Sequence, residues 1–184
     1  MKMISEKLDL VFSQATPEQV ETGIRWYRDA YLTALKLSRK HSIPVMRVIG
    51  VIAALSPNNK WERNIKDTES FLKSPSLETK VCTFMGQRVK ALAILKANSS
   101  SEIREILSGR KTVSFFDNML KHDQAHKVTV DLWMYRMSDL KATRRNYEAI
   151  SQAVIELSAK HKVLPHQFQA IVWSVVRPNK GGKG

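Results

Sequence analysis

The sequence predicts an all-α fold of roughly eight to ten helices. Three observations carry this. Apolar residues recur at intervals of three and four through most of the chain, whereas the alternation of a half-buried strand is nearly absent. Helix-start signals stand at Thr16-Pro17-Glu18-Gln19, Pro44, Ser99-Ser100-Ser101-Glu102, Thr143 and Pro165. No internal repeat or low-complexity block competes with that pattern.

In chain order, Met3 to Phe12 sets Ile4, Leu8, Val11 and Phe12 at helical spacing and predicts a short first helix. Thr16 is an N-cap, Pro17 the first helical residue and Gln19 the return half of a capping box. The helix they open is expected to reach about Lys40. Its expected buried stripe is Val20, Ile24, Tyr27, Tyr31 and Leu35; Arg25, Arg28, Lys36, Arg39 and Lys40 make a solvated face. Pro44 to Leu55 is apolar nearly all round, with Arg47 its lone charge, and such a helix belongs in the middle of a domain. Ser56-Pro57-Asn58-Asn59 ends it, because proline disfavours helix at the residue before it. Another helix begins near Lys60 and carries Trp61, Ile65 and Phe71.

After the break at Ser74-Pro75-Ser76, Val81 to Phe84 stays open between strand and helix. Gly86 is expected to precede a helix with Val89, Leu92 and Leu95 inward. Ser99 to Glu102 fits a capping box for a short helix to Leu107, and Gly109 is expected to close it with φ > 0. Val113, Phe116 and Leu120 space the next helix, and Lys121 to Lys127 is a polar connection. Asp131 stands at or near the start of a helix that runs to about Ser138. Thr143 caps a helix to about Lys160 with Tyr147, Ile150, Val154 and Leu157 inward. Pro165 opens the last, with Phe168, Ile171, Val172 and Val175 inward, and residues 178–184 read as a flexible basic tail.

A chain of 184 residues is enough for a packed core, in one domain or two small lobes sharing a cleft. The expected organisation is a single helical domain over 1–184. The net charge of +13 points to a polyanionic partner, of which nucleic acid is the commonest; the plain alternative is a protein with a basic surface. Cys82 is the only cysteine, which excludes disulfides within the chain and four-cysteine iron–sulfur or zinc sites. No apolar run reaches the roughly 18 residues of a membrane span. Lys2, Glu6, Lys7 and Asp9 do not make a signal-peptide pattern. The expectation is a cytoplasmic monomer that needs no cofactor and no metal.

The stretch from Leu107 to Arg136 holds the densest chemistry. A glycine-broken turn, Leu107-Ser108-Gly109-Arg110-Lys111-Thr112, comes first. The N–H groups after Gly109 open a helix, where an anion such as a phosphate can sit. Asp131 follows as one carboxylate inside an apolar run, Val128 to Tyr135.

Four pieces in order resemble the helix-hairpin-helix DNA glycosylase superfamily, the fold of endonuclease III and 8-oxoguanine glycosylase. Val51 to Asn59 is similar to its apolar helix followed by Leu-Ser-x-Gln/Asn, whose loop fills the gap left by a flipped base. Gly86 to Leu95, with Lys90 and Ala91, is similar to its Lys-Ala helix. Leu107 to Thr112 is similar to the hairpin Leu-Pro-Gly-Val-Gly-x-Lys-Thr, shortened and with one glycine, and Val128 to Asp131 to the segment carrying the catalytic aspartate. The resemblance spans roughly Pro44 to Met137 and implies a two-lobed helical fold acting on double-stranded DNA. The chain also resembles a branch of small virus-encoded proteins, the glutamyl/putrescinyl-thymine pyrophosphorylase-like group. That likeness implies amine transfer onto a pyrophosphorylated thymine, a bacteriophage source and a host cytoplasm. A third possibility is a DNA-binding module without catalysis.

The resemblance gives Asp131 the catalytic carboxylate, and the chemistry agrees: breaking an N-glycosidic bond builds positive charge on the sugar, which a nearby carboxylate stabilises. The alternative is a helix N-cap, and both can hold. Lys111 is a candidate nucleophile through its amine, or else a phosphate or solvent lysine. Gly109, Arg110 and Thr112 are expected at a DNA phosphate. Asn58, Asn59 and Lys60 are expected to line the DNA cleft, with asparagine capping as the alternative. Trp61 and Trp133 are candidates to stack on a flipped base, or are core. His122 and His126, at i and i+4, lack further ligand types for a metal. Gln167 and Gln169 are expected to face solvent or the cleft.

Overall fold

A computed structural model describes residues 2–124 and 127–177. Among them the chain forms ten α-helices and no strand. These are α1 (Lys2–Ser13), α2 (Pro17–His41), α3 (Val45–Leu55), α4 (Trp61–Lys73), α5 (Met85–Ile94), α6 (Ser100–Leu107), α7 (Arg110–Leu120), α8 (Leu132–Met137), α9 (Arg144–Lys160) and α10 (Pro165–Val176). The expected basic tail at 178–184 lies outside the described residues, and no described helix is long and apolar enough to cross a membrane.

The capping chemistry sets the boundaries. Gln19 N donates to Thr16 Oγ1 at 3.2 Å and Thr16 N to Gln19 Oε1 at 2.9 Å, a complete box at the start of α2. Glu102 N donates to Ser99 Oγ at 3.1 Å, while Glu102 Oε2 accepts from Asn98 N, one residue before the cap, at 2.8 Å. Asn146 N donates to Thr143 Oγ1 at 3.2 Å and opens α9. Residues 81–84 form neither helix nor strand.

The fold divides into two units, and the boundary falls inside α2 after Arg28. The first unit holds residues 1–28 and 121–184. Its core gathers Ile4 and Leu8 of α1, Val128 and Val130, Met134 of α8, Ile150 and Val154 of α9, and Phe168 and Val172 of α10. Phe12 stacks on Phe168 with ring centroids 4.8 Å apart. In this unit Gly23 of α2 lies so close to α10 that a Cβ there would stand 2.4 Å from Ile171 Cγ1 and 2.7 Å from its backbone N. The second unit holds residues 29–120. Its centre is α3, buried continuously from Val48 to Leu55, with α4, α5, α6 and α7 packed around it. Arg47, the one charge on α3, donates from Nε to Ala97 O at 2.7 Å.

Two predicted faces are corrected. The buried face of α2 is Gly23, Tyr27, Ala30, Ala34 and Leu37, whereas Ile24 is exposed and Val20, Tyr31 and Leu35 are half-buried. Small residues set this face because they allow neighbouring chain to approach, while the stripe expected from bulk lies beside it. On α5 the inward residues are Ala91 and Ile94, and Val89 is 51% exposed.

Candidate functional site around Asp131

Residues 127–131 run without helical structure from the polar connection to α8. Val128 and Val130 are core, which places the residues between and after them at the margin of the apolar packing. Val128 O accepts from Tyr147 Oη at 2.8 Å, and the buried Thr129 hydroxyl lies 3.1 Å from Tyr27 Oη. Tyr27 donates to Gln169 Oε1 at 2.9 Å, so with its single proton used there it accepts from Thr129. Gln169 is only 5% exposed, which corrects the expectation that it faces solvent or a cleft. Gln167 is taken up at the start of α10, where its Oε1 accepts from Leu164 N at 2.9 Å.

Asp131 is the N-cap of α8, with φ −102° and ψ −177°. Its Oδ1 accepts from Trp133 N at 3.0 Å and from Met134 N at 3.1 Å. Its Oδ2 accepts from Trp173 Nε1 at 3.0 Å. The residue is half-buried. Three N–H donors hold it in one orientation, two on Oδ1 and one on Oδ2, within the roughly four acceptor positions of a carboxylate.

Trp173 and its neighbours are the part of this site that sequence reading missed. The Arg177 guanidinium lies 3.8 Å from the Trp173 ring centroid, and Trp26 meets the same ring edge-on at 5.7 Å. Gln169 and Trp173 are one helical turn apart on α10, which is the only local sign that they share a face. Trp133, the stacking candidate nearest Asp131 in sequence, is half-buried and has the Arg136 guanidinium 5.2 Å from its ring centroid.

The hairpin belongs to the second unit. Ser108, not Gly109, takes the left-handed conformation that ends α6, with φ 56°. Gly109 precedes α7, and among the described glycines none has positive φ. The expected role of Gly109 as the φ > 0 closing residue is therefore corrected. Lys90 of α5 stabilises the turn instead: its Nζ donates to Leu107 O at 2.7 Å and to Ser108 Oγ at 2.9 Å. Arg104 Nε and the buried Asp117 carboxylate, 2.8 Å apart, tie α6 to α7. Arg110 is exposed and Lys111 half-buried in the first turn of α7. Thr112 is buried, with its hydroxyl donating to Gly109 O at 2.9 Å, so what it offers an anion is its backbone N–H.

The loop before α4 has a similar inward pull. Asn59 Nδ2 donates to Leu55 O at 3.3 Å and to the buried Asp67 Oδ2 at 3.0 Å, so its side-chain amide closes α3 and braces α4. Asp67 also accepts from Arg63 Nε at 2.8 Å and Cys82 N at 2.7 Å. Asn58 is exposed with φ 57°, Lys60 is exposed as the N-cap of α4, and Trp61 is half-buried at its first position. His122 offers its carbonyl to His166 Nε2 at 2.9 Å; His126 lies outside the described residues. No cluster of three metal-ligating side chains occurs among the described residues.

Across residues 1–180 the chain matches DUF7178, a family of unknown function, and it belongs to that family. No curated protein and no solved structure matches it.

Proposed function

We propose that this DUF7178 protein is a monomeric DNA-binding enzyme of helix-hairpin-helix glycosylase type, which acts on a base turned out of duplex DNA. The reaction is cleavage of the N-glycosidic bond. One observation carries this reading: the carboxylate of the half-buried Asp131 is fixed by three N–H donors, two from the backbone of α8 and one from the indole of Trp173. A preoriented anion of this kind suits a transition state in which positive charge grows on a sugar. In the step, the C1′–N bond breaks and its electron pair leaves with the base. Asp131 stabilises the cationic sugar, and water adds to C1′ while its proton ends on the departing base.

In the second unit, Arg110 and the first-turn N–H groups of α7 are assigned to the DNA phosphates, with Lys60 and Asn58 as further surface contacts. Lys111 is assigned as the alternative nucleophile to water: its neutral amine adds to C1′ as the C1′–N bond breaks and gives up a proton to the departing base, and opening of the sugar ring then leaves the Schiff base. Trp61 and Trp133 are assigned to stacking on bases.

Incubation of the protein with duplexes carrying a panel of damaged and modified bases tests the reading. Released free base with loss of release in Asp131→Asn is the expected result. An intact backbone with altered base mass assigns transfer chemistry instead, and binding without any product assigns a DNA-binding module. Borohydride trapping decides Lys111: an adduct that disappears in Lys111→Ala supports a Schiff base, and an adduct that persists rejects it.

A further inference from the structure

We infer that Trp173 is the positioning residue of the Asp131 carboxylate, holding Oδ2 while the helix cap holds Oδ1; this rests on the catalytic reading of Asp131 above. A helix N-cap needs one side-chain oxygen, and Asp131 Oδ1 already fills that role for Trp133 N and Met134 N. The bond from Trp173 Nε1 to Oδ2 adds nothing to capping α8. It comes from α10, 42 residues further along the chain, and fixes the rotation of the carboxylate plane about an already anchored oxygen.

The indole is suited to that task. It can only donate, so the carboxylate meets the same polarity at Oδ2 at all times. Its ring is held from the Arg177 face at 3.8 Å and by the Trp26 edge at 5.7 Å. The cation on the face also polarises the ring and strengthens the N–H as a donor. One turn earlier on α10, Gln169 is bound by Tyr27, which also bonds Thr129, two residues before Asp131. The backbone leading into Asp131 and the far oxygen of its carboxylate are thus both referenced to α10. The close approach of Gly23 to Ile171 fixes where α10 lies against α2 within this unit. A hydrogen bond to a charged group is strong enough that its loss in the reacting state changes a rate by about 10–100-fold.

The test uses the full chain and the duplex from which the wild type releases base. Trp173→Phe keeps an aromatic ring for Arg177 and Trp26 and removes the donor together with part of the indole's bulk. The expected result is kcat reduced at least about tenfold with KM and duplex Kd unchanged. Asp131→Asn combined with Trp173→Phe is expected to be no slower than Asp131→Asn alone, since both act through one group. Wild-type kcat in Trp173→Phe overturns the inference, as does an effect that simply adds to that of Asp131→Asn. A second measurement does not depend on turnover or on the folding of Trp173→Phe: the indole N–H resonance of Trp173 in nitrogen-15-labelled protein. It is expected to shift and to exchange faster with water in Asp131→Ala, while that of Trp61 stays in place; an unmoved Trp173 signal overturns the inference. If the wild type releases no base from any duplex, the glycosylase reading falls, and the indole signal still decides whether Trp173 holds Asp131.

Discussion

At the scale of single residues, Asp131 combines two roles that usually compete for explanation. As an N-cap it stabilises α8; in the proposed reaction the same half-buried carboxylate meets a charged sugar. Substitution separates the two. Asparagine also caps helices through its oxygen, so Asp131→Asn is expected to keep the cap and to lose about 1–2 kcal/mol only because its amide nitrogen faces the Trp173 N–H, while base release falls by about a hundredfold or more. Asp131→Ala is expected to lose about 1 kcal/mol as well, through the cap. Urea unfolding and base release, measured on the same preparations, check both statements. A second carboxylate gives a pH prediction. Asp9 accepts from Lys160 Nζ and from His161 Nε2, each at 2.6 Å, on its two oxygens. The hydrogen bond from Lys160 first, and that from His161 next, hold its pKa below 3.8. A carboxylate with a depressed folded-state pKa contributes stability above its unfolded value and loses it as pH falls through the folded one. The Tm difference between wild type and Asp9→Asn is therefore expected to be present near neutral pH and to close below about pH 4. Solvent screening at this partly exposed pair keeps the difference small.

At the scale of elements, helix ends were more legible than helix faces. Thr16, Ser99 and Thr143 cap as their neighbours predict, because a capping box involves residues only three apart. On α2 side-chain bulk points to Ile24 and Tyr31, whereas Gly23, Ala30 and Ala34 are what lies inward. Gly23→Ala tests this directly. In an exposed helix the change adds about 1 kcal/mol of stability. Here the new methyl meets Ile171, backbone included, so a net loss of about 1–3 kcal/mol is expected in urea unfolding. The α6–α7 turn is a similar case. Gly109 looked like the left-handed residue, yet Ser108 holds that conformation, with Lys90 donating to its hydroxyl. Ser108→Gly removes backbone strain and that one bond together and is expected to stay within about 1 kcal/mol of wild type, whereas Ser108→Val is expected to cost more than that. Thermal melts of the two variants side by side decide the point.

For the whole molecule, charge is the property with the widest reach. Lysine and arginine outnumber aspartate and glutamate in both units, so the excess of +13 is not a local patch. Duplex affinity is expected to fall steeply and linearly in log–log form as salt rises, since each neutralised phosphate releases counterions. Titration of a labelled duplex between about 50 and 200 mM salt reads the slope; a flat response removes the phosphate contacts assigned to Arg110 and Lys60.

Helical class, the number of helices, most of their starts and stops, the central place of Val45–Leu55 and the basic excess all follow from residues within a turn or two of one another, or from composition. Local hydrogen bonds and period decide them, and both are written along the chain. Tertiary structure alone decided that Trp173 meets Asp131, that Tyr27 joins Thr129 to Gln169, that Lys90 supports Ser108, and which side of α2 is buried. Each of these depends on how closely two distant segments approach, which is set by the small residues and packed volumes between them rather than by any spacing along one segment.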